Sequence, residues 1–169
     1  YPHYSACILA EYLGGDIERE SLFLRKFEDY ARENIDVIWG KATEIDITNN
    51  KIYLETGVTD YDRLIIATGS RAVLSPVNGL DKQGIYTFKT LSDVDRLHAH
   101  QGKRAAVVGS GPVGIEVSMA LKKRGYEVSL IESLDWVLPK VFDQYPALLL
   151  SHALEKQGIK MLTGERVMA

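Results

Sequence analysis

Cysteine is nearly absent from this 169-residue chain: Cys7 stands alone, so no disulfide can form within it. A lone thiol in an ordinary composition points to a reducing compartment, the cytoplasm by expectation. Neither sign of charge dominates. Twenty Lys and Arg face 23 Asp and Glu, a net charge of -3. That balance leaves no electrostatic footprint for nucleic acid. No apolar run approaches the roughly 18 residues that a membrane span needs, so no membrane partner is expected. The start, Tyr1-Pro2-His3-Tyr4, lacks the charged and apolar regions of a signal peptide. Four histidines (His3, His98, His100, His152) show no grouping with cysteine or carboxylate, so no metal site is expected. What is present is globular: 46% hydrophobic and 25% charged residues exclude a disordered tail, a collagen-like fibre or a disulfide-rich mini-protein.

Periodicity divides the chain in two. Residues 5–13 read as a short helix with Ser5 as N-cap and Gly14-Gly15 as C-cap. Leu22, Phe23, Phe27, Tyr30 and Ala31 recur at helical spacing and predict a second helix over 18–34. Asp36 to Trp39 reads as a strand. Residues 43–55 read as a hairpin turning at Asn49-Asn50. Tyr61 to Thr68 reads as a further strand, and the run Leu64-Ile65-Ile66-Ala67 suits burial on both faces. A connection bearing Gly and Pro (Gly69, Ser75-Pro76, Asn78-Gly79, Gly84) follows. Helices (91–100, 113–124, 144–157) then alternate with strands (104–108, 127–132, 159–162), the pattern of a parallel α/β sheet.

The strongest chemical signal is Gly109-Ser110-Gly111-Pro112-Val113-Gly114. It leaves one predicted strand, opens a helix, and is followed by a second strand ending in the acid Glu132, 18 residues after the last glycine. That context is what a dinucleotide fingerprint requires. Gly109 permits the tight turn, Gly111 lets the backbone approach a pyrophosphate, and Gly114 lets helix and sheet pack closely. The helix N-terminus offers unpaired N–H groups and partial positive charge to phosphates. Pro112 near the first turn costs little there. Glu132 can accept hydrogen bonds from the adenosine ribose and would repel a 2′-phosphate. No cation follows at Ser133 or Leu134, so NADH is expected over NADPH. On motif alone the same fingerprint could hold FAD.

The segment Tyr61-Asp62-Arg63-Leu64-Ile65-Ile66-Ala67-Thr68-Gly69-Ser70 resembles the second flavoprotein signature of reductases with two dinucleotide domains. Gly84-Ile85-Tyr86-Thr87-Phe88-Lys89-Thr90, Gly114-Ile115-Glu116-Val117, Leu138-Pro139, Asp143 and Glu155-Lys156-Gln157-Gly158-Ile159 continue the likeness. The chain is thereby identified as similar to the FAD-dependent pyridine nucleotide-disulfide reductase superfamily, in its NADH oxidase and coenzyme A-disulfide reductase branch. The resemblance implies a Rossmann-like three-layer dinucleotide-binding domain with a parallel sheet, plus part of an FAD-binding domain with a small β-hairpin or meander. The expected boundaries are 1–70 for the partial FAD domain, 71–90 for a linker and 91–169 for a partial NAD domain. FAD and NAD are the implied cofactors, with the Ala67-Thr68-Gly69 turn where the two domains meet and Glu116 helping to place the nicotinamide. The implied partner is a small-molecule or small-protein electron acceptor, in a homodimer.

Ser5 to Gly15 resembles the segment carrying the single redox cysteine of that branch, with Cys7 as the catalytic thiol. Pro2-His3-Tyr4-Ser5 is closer to the rubredoxin reductase and small nitrite reductase-like branch, where no thiol takes part. Two readings of Cys7 therefore stand: a thiolate stabilised near a helix N-terminus, and a small buried side chain. A non-enzymatic NADH-binding interaction protein is a further class open to this fold. Only one Gly-x-Gly-x-x-Gly occurs, so the chain is expected to be a piece of a longer protein. Its three-strand sheet should leave edges and apolar surface open.

Overall fold

The computed structural model describes residues 1–74 and 77–168; Ser75-Pro76 of the connection and Ala169 lie outside the described residues. In chain order the elements are α1 (Leu9–Gly14), α2 (Phe27–Arg32), β1 (Ala42–Asp46), β2 (Lys51–Leu54), β3 (Gly57–Asp60), α3 (Leu91–His98), β4 (Arg104–Val108), α4 (Pro112–Lys123), β5 (Glu127–Glu132), α5 (Gln144–Lys156) and β6 (Ile159–Thr163). They fall into two units: residues 1, 3–24 and 72–169 form one, and residues 25–71 with Pro2 form the other.

The larger unit is built on a parallel sheet of order β4-β5-β6. β5 is central, and its alternate residues Val128, Leu130 and Glu132 are buried, as period-2 strand geometry demands. Helices α4 and α5 are the crossovers that parallel neighbours require. Their buried faces (Ile115, Val117, Leu121, Leu154) close over Val128, Leu130 and Ile159. The same core extends to Leu9, Leu13 and Leu22 from the first segment and to Leu91 and Val94 of α3. Polar contacts reinforce this join. Tyr12 Oη donates to Asp95 at 3.0 Å, and Arg19 reaches Asp95 through both Nε (3.2 Å) and Nη2 (3.0 Å). The Tyr12 ring stacks on His98 with centroids 5.3 Å apart. Thr90 caps α3 in a reciprocal box with Asp93.

The smaller unit is an antiparallel meander, β1-β2-β3, beside α2. Asp46 makes the first turn by accepting from the amides of Thr48 and Asn49, and Asn50 takes a left-handed conformation there. None of residues 25–71 is fully buried.

The structure corrects several expectations. The predicted helix over 18–34 is a 3-10 turn at Arg19–Leu22 and the six-residue α2. Between them Phe23 bridges Tyr4, and the Leu24 amide donates to the His3 carbonyl at 2.8 Å, which draws the chain into an extended path. Asp36–Trp39 forms no strand. Tyr61–Thr68 forms none either, while β3 is a strand that the sequence reading missed. Ile65 is 87% and Ile66 67% exposed, not buried on two faces, because no described strand lies alongside to pair with them. Ser5 caps nothing: its side chain makes no cap bond, its amide donates to Leu22 O, and a 3-10 turn at Ala6–Ile8 precedes α1.

Candidate dinucleotide site

The turn between β4 and α4 brings Gly109, Ser110, Gly111, Pro112, Val113 and Gly114 together. Gly109 sits at φ 98°, where a side chain would be strained, and its amide donates to Ile131 O at 2.8 Å. A Cβ on Gly114 would lie 1.9 Å from the Gly109 carbonyl oxygen, so the helix can start there only with glycine. Above Gly111 nothing lies within 4 Å of where a Cβ would be. Gly111 is also the N-cap of α4, and no side chain caps the helix. The first-turn amides are therefore left without a side-chain acceptor, with open space in front of the backbone. A pyrophosphate fits both features.

Glu132, at the end of β5, is buried and points into this turn. Its Oε2 accepts from Ser110 N at 2.9 Å and from Ser110 Oγ at 2.8 Å. Its Oε1 accepts from Leu134 N at 3.1 Å and Ser133 Oγ at 3.3 Å. Burial alone would raise the carboxyl pKa. The four donors outweigh it, and the group is held below its ordinary value. Hydrogen bonds to a charged acceptor are worth about 1.5–3 kcal/mol each, which is why burial loses here. Sequence reasoning assigned Ser110 to the cofactor, but its hydroxyl faces Glu132. It also missed Leu138, whose amide donates to Ser110 O at 3.1 Å from a left-handed conformation (φ 50°). Leu138-Pro139 in the sequence was the available signal.

Glu116 is exposed in the first turns of α4. Cys7 lies in the 3-10 turn that precedes α1 and is exposed in this chain. Ala67, Thr68 and Gly69, in the smaller unit, are exposed coil with Gly69 at φ 72°. Nothing in the described residues encloses a flavin there. A cavity of about 670 Å³ opens beside the turn, lined by Tyr86, Phe88, Val107, Gly109, Val113 and Met168 among others. Its wall is mixed, with Asn78, Thr87, His100 and Arg104 among the aliphatic side chains, and Gly111 with its open backbone is not part of it.

The sequence pattern of the pyridine nucleotide-disulphide oxidoreductase family matches residues 2–169. The chain belongs to that family. This member is 31% identical over 166 residues to a nitrite reductase [NAD(P)H] of Bacillus subtilis, covering 96% of the chain and 21% of the relative. It is 32% identical over 173 residues to an NADH oxidase of Lactococcus lactis, covering 96% and 39%. The crystal structure of reduced Bacillus anthracis CoADR-RHD superposes with a TM-score of 0.94 at 26% identity, covering all of this chain and 33% of that one. The family member described here thus spans about a fifth to two fifths of the curated relatives it matches. None of its described helices is long and apolar enough to cross a membrane.

Proposed function

We propose that this chain carries the nicotinamide-dinucleotide site of an FAD-dependent NAD(P)H oxidoreductase. The observation that carries the reading is the Gly109–Gly114 turn, with open backbone at Gly111 and a buried acid anchored beside it. Residues 91–169 are the partial NAD domain, 71–90 its linker and 1–70 the partial FAD domain. FAD, if bound with Ala67, Thr68 and Gly69, would supply the redox chemistry that carries hydride from the nicotinamide on to a disulfide, dioxygen or peroxide. Because the described residues do not enclose a flavin, its place with Ala67, Thr68 and Gly69 rests on family membership. This chain's own work is binding. The Gly111 backbone and the uncapped α4 amides hold the pyrophosphate, Val113 and Glu116 follow on the helix, and Glu132 faces the ribose. A carboxylate kept ionised at that position disfavours a 2′-phosphate, so NADH is the preferred donor.

An exposed Cys7 supports a thiol that relays electrons from reduced flavin to a disulfide. The likeness of Pro2-His3-Tyr4-Ser5 to the rubredoxin reductase and small nitrite reductase-like branch supports a second reading, in which electrons leave to a rubredoxin- or ferredoxin-type carrier without a thiol. The experiment is a titration of the intact protein with NADH under anaerobic conditions, comparing the wild type with Gly111→Val and Cys7→Ser. Gly111→Val should abolish NADH binding and retain flavin. Loss of flavin with NADH binding kept would make this turn the FAD site. Cys7→Ser should leave flavin bleaching by NADH intact and abolish disulfide reduction. Full disulfide-reductase activity in Cys7→Ser would favour the thiol-independent reading.

A further inference from the structure

Ser110 is fully buried, and each of its polar groups is spent within the protein. Its amide and hydroxyl both donate to Glu132 Oε2, and its carbonyl accepts from Leu138 N. One residue thus ties the glycine turn to the acid at the end of β5 and to the loop that leaves it. The two carboxylate oxygens are not equivalent. Oε2 holds the two shorter bonds, both from Ser110. Oε1 holds the two longer ones, and one of those comes from the exposed Ser133. Oε1 is therefore the oxygen whose bonds exchange most easily with an incoming hydroxyl, while Oε2 stays fixed.

We propose that Ser110 is a positioning residue for dinucleotide selectivity: it pins Glu132 through Oε2 and so presents Oε1, as an ionised acceptor, to the adenosine ribose. This rests on the dinucleotide reading of the turn. The serine does not touch the cofactor. It determines how the acid does. Alanine at this position keeps the amide bond but removes the hydroxyl, leaving a lone pair of a buried carboxylate unsatisfied. That weakens the hold on the ionised, inward orientation and with it the discrimination between ribose and 2′-phosphate.

The test is calorimetric titration of the intact, oxidised protein with NAD⁺ and NADP⁺, which reads binding without turnover. Ser110→Ala should reduce the NAD⁺ over NADP⁺ preference by about tenfold, the loss of one hydrogen bond to a charge. Glu132→Gln should reduce it too, and Ser110→Ala should add nothing further in the Glu132→Gln background. Ser110→Thr, which restores a hydroxyl, should restore the preference. An unchanged ratio in Ser110→Ala, or full additivity with Glu132→Gln, overturns the inference. A second measurement needs no variant: the Ser110 amide of the wild type should remain protected from exchange when NAD⁺ binds. Its release on binding also overturns the inference. Gly111→Val separates this from failure of the site itself. If Gly111→Val binds NAD⁺ normally, the turn is not the dinucleotide site. If it does not bind while Ser110→Ala keeps the wild-type ratio, only the role of Ser110 is refuted.

Discussion

Three carboxylates in the larger unit are held below their ordinary pKa, each by named donors. Asp95 is lowered chiefly by its hydrogen bonds from Arg19. Asp93 is raised by burial but lowered more by bonds from Thr90, Thr87 and Arg96. Glu132 follows the same pattern with Ser110. A carboxyl with a depressed folded pKa binds its proton less readily than in the unfolded chain. Its stabilisation is full above the unfolded value of about 4 and is lost as pH falls through the folded value. Thermal unfolding should therefore be insensitive to pH from neutrality to about 5 and fall steeply below about 4. Glu132→Gln should shrink that acid limb. A melting temperature in Glu132→Gln with the wild-type acid slope would show that the Ser110 bonds do not matter to folding. The glycines and Glu132 were legible in the sequence, because the fingerprint fixes backbone geometry by residue type. The inward turn of the Glu132 carboxylate was not, since spacing says nothing of side-chain direction. Nor was the exposure of Cys7.

Among the elements, β4, α4, β5, α5 and β6 lie within a residue or two of their expected ranges. Three of them are closed by a glycine with positive φ: Gly109 after β4, Gly125 after α4 and Gly158 after α5. Stretches 18–40 and 61–68 failed for the opposite reason. Their apolar spacing marks residues fit for burial, yet Val37, Ile38, Ile65 and Ile66 stay exposed, and Trp39 stays exposed although its ring meets Phe27 edge-on at 5.2 Å. Periodicity records a preference, and only tertiary neighbours turn it into a strand. The capping box on α3 gives a measurable case of local closure. The Asp93 amide donates to Thr90 Oγ1 at 3.2 Å, and the Thr90 amide donates to Asp93 Oδ2 at 2.9 Å. Thr90→Ala should cost about 1 kcal/mol in denaturant unfolding, and Thr90→Ser should recover most of it. A stability change within error in Thr90→Ala would mean that α3 is held by Leu91 and Val94 alone.

At the scale of the whole molecule, the two units differ in how much core they own. The larger has a continuous apolar cluster, whereas residues 25–71 contain no fully buried residue and expose Trp39, Ile65 and Ile66. Apolar surface of that kind is normally covered. Expressed alone, the 169-residue chain should associate with rising concentration in sedimentation, and the double variant Ile65→Lys, Ile66→Lys should reduce that association. A strictly monomeric chain with protected amides over 25–71 would contradict this. The central claim, that the Gly109–Gly114 turn binds the nicotinamide dinucleotide, is reached most directly by amide hydrogen exchange of the intact protein with and without saturating NAD⁺. Binding should slow exchange at Gly111 and Val113 to Glu116, and in the loop after Glu132. If NAD⁺ binds and those amides exchange as before while protection appears elsewhere, the dinucleotide site is not this turn.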